Sequence, residues 1–159
     1  MHDAEMVVDQ RARYEELYRS RGASLWRSVL LFAGDPDVAS DAVAEAFTQA
    51  IRRGDDIESP QAWITRAAFR IAAGELNERR TRGYLIVEVG YEMPEPVAEL
   101  AGALAQLSPK QRASAVLHYR DGYTAAEVAE IIGSTTSAVG VHLHRAKARL
   151  RDLLGDDDD

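Results

Sequence analysis

The chain has 159 residues, 46% hydrophobic and 28% charged, the proportions of one globular domain or two small ones. Its net charge of −7 argues against a general nucleic-acid binder, the lack of cysteine excludes disulfides and thiol chemistry, and no apolar run approaches the roughly 18 residues of a membrane span. The acidic start "MHDAEMVVDQ" lacks the basic and apolar segments of a secretory signal, so a cytoplasmic location is expected.

Helical periodicity dominates, and no repeat or sustained strand-like alternation appears. A first helix is predicted from about Asp9 to Ala33, with Tyr14, Leu17, Tyr18, Leu25, Val29 and Phe32 at helical spacing and Gly22 as its weak spot. "GDPD" breaks the chain and caps a second helix from about Asp37 to Arg53. Its apolar set, Ala39, Ala42, Val43, Ala46, Phe47, Ala50 and Ile51, follows three- and four-residue steps. After the loop "RGDDIE", Ser59-Pro60 supplies a cap and a proline at the first helical position. The third helix reaches about Arg80 and is expected to bury Trp63, Ile64, Ala67, Ala68 and Ile71.

"TRGYLIVEVGYEMPEPVAEL" reads as an acidic linker of about 15 residues in which "YLIVEV" is a short strand or an extended segment. A second helical unit starts near Val97. Ser108-Pro109-Lys110-Gln111 and Thr124-Ala125-Ala126-Glu127 are both capping boxes, and Gly122 and Gly133 suit left-handed helix ends. Thr135 caps the last helix. Two helices joined by a tight glycine turn, with Ala129 at the crossing and Val139 in the core of the second, describe a helix-turn-helix. The expected architecture is therefore all-α: two small helical domains, 9–82 and 97–154, joined by a flexible linker, 83–96, with an acidic tail, 155–159.

Charge is segregated along this chain. From Gly83 to Glu99 there are four acids and no base; from Thr135 to Arg151 there are four bases and no acid. On the last helix Val139, Leu143, Ala146, Leu150 and Leu153 form the core side. The opposite face centres on Ser137, Val141, His144 and Ala148, which offers few groups able to fork onto a guanine. His142 and His144 are no metal pair, because residues two apart on a helix do not share a face. A second basic stripe, Arg66, Arg70, Asn77 and Arg80, runs along the third helix. No nucleophile–base pair or metal-ligand cluster is visible, so neither an enzyme nor a metal or cofactor site is expected.

Taken together, "DPDVASDAVAEAFTQAIRR", "SPQAWITRAAFRIAAGELNERR" and "LAQLSPKQRASAVLHYRDGYTAAEVAEIIGSTTSAVGVHLHRAKARLRDLL" resemble the extracytoplasmic-function (ECF) sigma factors, of the sigma-70 superfamily. "LSPKQR", "EVAEIIG" and "HRAKARL" are the most specific pieces. The resemblance implies a factor that binds the clamp of bacterial core RNA polymerase through Asp41, Glu45, Thr48, Gln49 and Arg52, with Phe47 in the core. It implies that the loop Arg53, Asp55, Asp56, Ile57 and Glu58 accepts a base flipped from the −10 strand. Arg66, Arg70, Asn77 and Arg80 would hold that strand by its phosphates. Lys110, Arg112, Thr124, Thr136, Ser137, Gly140, His144, Arg145, Lys147 and Arg149 would face the −35 duplex. An anti-sigma factor is a further partner the resemblance allows; a membrane is not.

Departures from the family pattern are specific. Ala44 stands for the usual Gln of the clamp motif, Arg70 for Asn and Gly74 for Asp. "SAVGVHL" stands for a more usual G-T-V-K-S-R-L, which removes two basic positions from the reading helix. Two other readings compete: a sigma-like mimic that sequesters an anti-sigma factor, and a stand-alone helix-turn-helix regulator, which leaves the first unit unexplained.

Overall fold

A computed structural model describes residues 2–81 and 95–155. The segment 82–94, and with it the expected linker strand, lies outside the described residues, as does the acidic tail beyond Gly155. Seven α-helices follow in order: α1 (His2–Ala33), α2 (Pro36–Arg53), α3 (Pro60–Thr81), α4 (Glu95–Ala105), α5 (Pro109–Ala115), α6 (Ala125–Ile132) and α7 (Thr136–Leu154). No strand occurs among the described residues.

The helix ends follow from local hydrogen bonding. Asp35 accepts from the backbone N–H of Asp37 and Val38 at 2.8 and 3.2 Å, which starts α2 directly after Gly34. Burial pushes the Asp35 carboxyl up, but Arg79, donating to it at 2.6 Å, and those two N–H groups outweigh burial and hold it below the ordinary carboxylate value. One side chain thus caps α2 and ties it to the end of α3. Both capping boxes form as expected, at Ser108–Gln111 and Thr124–Glu127.

Alanines set the packing of the first three helices. Ala39, Ala42, Ala46 and Ala50 of α2 and Ala68 and Ala72 of α3 are almost wholly inaccessible, so the two helices approach closely. Tyr14, Val29 and Phe32 of α1 cover this layer, as do Phe69 and Leu76 of α3, which periodicity alone had left out. Four expectations fail here. Tyr18 is 58% exposed, Ile51 is exposed, Ile71 is half-buried, and Trp63 is half-buried under the Arg53 guanidinium, 5.9 Å from its ring.

The two halves are packed against each other, and their buried residues form one continuous cluster. The joint is polar at its rim. Residues Val116–Arg120 widen α5 into a π-turn, and His118 Nδ1 donates to the Tyr123 carbonyl at 2.7 Å to hold the exit. This turn delivers Arg120 and Asp121 to α1. The buried Ser28 hydroxyl donates to the Asp121 carboxylate at 2.7–2.8 Å and accepts from Arg120 Nη1 at 2.7 Å, while Arg120 also reaches the Ser24 carbonyl. Tyr123 leans on Thr65 of α3.

Candidate nucleic-acid interface

The reading helix is built by its turn. Gly133 adopts the left-handed conformation (φ +67°), its N–H and that of Ser134 close on the Ala129 carbonyl, and Thr135 caps α7 through the Ala138 N–H. Val139, Leu143 and Ala146 are buried against the preceding helices. Thr136, Ser137, Gly140, Val141, His144, Arg145, Lys147 and Ala148 are exposed, so the outward face is the expected one. A Cβ added at Gly140 would meet nothing within 4 Å, which leaves an open notch on that face.

Gly140→Lys should therefore fold normally and strengthen duplex binding by neutralising a phosphate. Measured by fluorescence anisotropy, the logarithmic salt slope should steepen by about one unit; an unchanged slope would mean the notch never approaches DNA.

Beside this face, Lys110 at the start of α5 and Arg145 of α7 flank His142. Burial, reinforced by those two positive charges, holds the His142 imidazole below its ordinary value, and its Nδ1 is buried without a partner. A depressed folded value favours the neutral ring, so this contribution is intact above the unfolded value and lost as the pH falls through the folded one. Denaturant unfolding should show stability declining below about pH 6.5, and His142→Leu should flatten that decline. An equal decline in the variant would place its origin elsewhere.

Not every expected −35 residue reaches this face. Arg112 is only 9% exposed: it donates to the Leu107 carbonyl at 3.3 Å, and its guanidinium lies 5.3 Å from the Phe32 ring centroid, across the joint on α1. Its Nε has no partner, and burial pushes its guanidinium down from the ordinary value. In this arrangement Arg112 bolts the two halves together and does not face the duplex. Its neighbours in sequence gave no sign of this, because Phe32 is 80 residues away. Arg149 is exposed but donates to Gln106 at 3.2 Å, which draws it toward the end of α4 on the flank of the reading face. Lys110 and Thr124 are exposed.

The stripe on α3 is exposed throughout. Arg66 and Arg70 have no acidic partner among the described residues, whereas Arg80 donates to Asn77 at 3.1 Å. Arg79, one position earlier, is a structural arginine held by Asp35 and Glu75. In the preceding loop Gly54–Asp56 forms a 3-10 turn fastened by the Tyr14 hydroxyl donating to the Gly54 carbonyl. Asp56 and Glu58 point outward, while for Asp55 only the backbone is described. Ile57 is 6% exposed, so it anchors the loop in the core and offers no surface to a flipped base. The apolar step after two acids is what buries it.

On α2, Asp41, Glu45, Thr48 and Arg52 form one exposed stripe. Gln49 is half-buried and donates to Glu45 at 3.1 Å, and Phe47 is buried as expected.

Two joined helical halves, one carrying a helix-turn-helix with a basic flank and the other an exposed stripe in which Arg66 and Arg70 have no acidic partner among the described residues, have the features of a DNA-binding transcription protein. Residues 98–150 match the family "Sigma-70, region 4". The chain is 30% identical over 151 residues to the RNA polymerase sigma-E factor of Streptomyces avermitilis, covering 89% of this chain and 84% of that one. It is 29% identical over 150 residues to the ECF RNA polymerase sigma factor SigL of Mycobacterium tuberculosis, covering 85% of each. In fold it is similar to the sigma factor RpoE of Bartonella quintana, solved in complex with the anti-sigma factor NepR (TM-score 0.81, 20% identity, 91% of this chain and 98% of that one). The chain belongs to the ECF family of RNA polymerase sigma factors.

Proposed function

We propose that this chain binds core RNA polymerase and directs it to a specific set of promoters, acting by binding and not by catalysis. One observation carries the reading: two separate basic surfaces, the α3 stripe and the α7 flank, coexist with an exposed polar stripe on α2 that carries Asp41 and Glu45. Duplex, separated strand and polymerase then each have a distinct face. In this reading 9–82 serves the polymerase and the −10 strand, 97–154 serves the −35 duplex, and the working protein sits on the nucleoid.

The closed packing has a consequence for that reading. Elements centred at −10 and −35 lie about 25 base pairs apart, roughly 85 Å at about 3.4 Å per pair. A compact chain of 159 residues has a radius of gyration near 15 Å, a diameter of about 40 Å. Closed, it cannot touch both elements, so promoter binding requires the joint at Ser28, Arg112, Arg120 and Asp121 to open. Arg112 spans the joint with its guanidinium desolvated and its Nε unpartnered, a cost that offsets part of its contact with Phe32 and keeps opening inexpensive; once freed, it is available to a phosphate.

The test is run-off transcription from fragmented genomic DNA with core polymerase, with and without the chain. Discrete new transcripts support the reading. Their absence, with core proven active by another sigma factor, would overturn it. The thin reading face, with Gly140, Val141 and Ala148 where bases could stand, favours a second reading: a mimic that occupies an anti-sigma factor. The RpoE neighbour is held by such a partner. Failure of run-off transcription together with tight capture of an anti-sigma factor would identify the mimic.

A further inference from the structure

At the joint a cavity of about 430 Å³ opens between α1, α2, α3 and the exit of the π-turn, and its charged lining residues are Arg21, Arg120 and Asp121. The geometry points to a binding site for a small ring-bearing monoanion, a flat organic ring carrying one negative charge, that is complete only while the two halves are closed. The inference goes beyond polymerase and promoter binding, and the site itself depends on neither.

The charge of the ligand follows from the pairing of the walls. Arg120 and Asp121 meet at 2.7 Å and balance each other. Arg21 is exposed and has no hydrogen bond or ion pair among the described residues, which leaves one uncompensated positive charge on the cavity. Arg120 adds donors and no net charge. Its contacts to the Ser24 carbonyl and hydroxyl, to Ser28 and to Asp121 all run from Nη1, so Nε and Nη2 are uncommitted. Guanidinium forks of this kind hold the paired oxygens of a carboxylate, sulfonate or phosphate. The second charge of a dianion would be repelled by the Asp121 carboxylate.

The body of the ligand follows from the floor. Ile64 is 1% exposed and Phe47 is buried, with Leu17 and Leu25 half-buried beside them. Gln61, on the first turn of α3, has its side-chain amide uncommitted among the described residues and can both donate to and accept from the edge of a ring. An apolar floor with a few convergent polar groups, in a volume between about 300 and 1,000 Å³, is the ordinary form of a small-molecule site.

The walls come from both halves. Arg21, Gln61 and the floor belong to the first, while Arg120, Asp121 and Tyr123 belong to the second, with Tyr123 donating across to Thr65 at 3.4 Å. Opening the joint takes the site apart. A ligand that binds only the closed form stabilises it by mass action, so an occupied cavity opposes the opening that promoter binding requires.

The experiment uses the full chain without polymerase and the probe anilinonaphthalene sulfonate, a ring-bearing monoanion whose fluorescence rises in an apolar site. One saturable site is expected. Arg21→Glu should weaken it about tenfold or more. Arg27→Glu, exposed on the same helix but outside the cavity, makes the same change in net charge and should bind the probe like the parent. Both variants should melt like the parent when no probe is present, as surface substitutions do. Equal losses in the two variants, or a loss in neither, would assign the binding to general surface attraction and overturn the site. Displacement of the probe by cyclic AMP would identify a phosphodiester source, and displacement by benzoate a carboxylate source; displacement by neither overturns the ligand class. With core polymerase added, the displacing ligand at saturation should slow promoter binding, and an unchanged rate would overturn the coupling to closure. A chain that directs no transcript would still bind the probe, so the site and the proposed function fail separately.

Discussion

Arg66→Glu combined with Arg70→Glu is expected to abolish open-complex formation while leaving core polymerase binding nearly intact. Both guanidinium groups are exposed one turn apart on α3, and no carboxylate neutralises them within the described residues. Each is free to neutralise a phosphate of a separated strand. Reversing both replaces two attractions with two repulsions. A loss of at least about 100-fold in strand binding is expected, from roughly 1.4 kcal/mol or more at each position. Surface substitutions of this kind move stability by no more than about 0.5 kcal/mol, so a folding defect does not account for the loss. Permanganate footprinting of the melted region, together with a core-binding measurement, checks the result. Loss of core binding would instead mean that the α3 stripe belongs to the polymerase face. By contrast, the neighbouring Arg79, tied to Asp35 and Glu75, should behave as a stability residue and not as a strand contact.

Asp121→Ala is expected to open the joint between the two halves. Its carboxylate accepts from the fully buried Ser28 hydroxyl and balances Arg120 at 2.7 Å, with its own side chain only 15% exposed. Removing it leaves Ser28 without that acceptor and Arg120 without its counter-charge, a cost of about 1–3 kcal/mol at a joint with few other polar ties. Small-angle scattering should show the radius of gyration rising from near 15 Å for a compact chain. Promoter DNA should then be bound faster, since the closed form no longer has to open first. The helix-turn-helix itself should keep its shape, because Gly133, Thr135 and the buried Val139 hold α6 and α7 through contacts of their own. Unchanged scattering and unchanged binding kinetics would show that Phe32, Arg112 and the apolar cluster hold the halves closed without the polar rim.

Much of the fold was legible before the structure because its signals act over a few residues. A serine or threonine three positions before glutamine or glutamate starts a helix through its own hydrogen bonds. Both such boxes form at the expected places. Gly133 closes α6, and Thr135 opens α7, for equally local reasons. The outward face of α7 followed from a single periodicity. The arginine stripe of α3 was visible in the same way, whereas the polar stripe of α2 came from the family resemblance.

What stayed hidden depends on which distant element arrives at a given face. Arg112 reads as a basic residue beside a helix-turn-helix, yet Phe32 from the other half covers it. Ile57 sits among loop acids but is drawn into the core, while Tyr18 and Ile51 keep helical spacing and still face solvent. Ser28 is an ordinary serine until the π-turn brings Asp121 to it. By itself the sequence determined the helices, their caps, the helix-turn-helix and the division of charge, since each is decided by hydrogen bonds and spacing within about one or two turns. Only the tertiary structure decided which arginines are free and which are bolts, and that the halves close on each other. Burial and charge pairing there are set by residues tens of positions apart, and no local pattern records who the partner is.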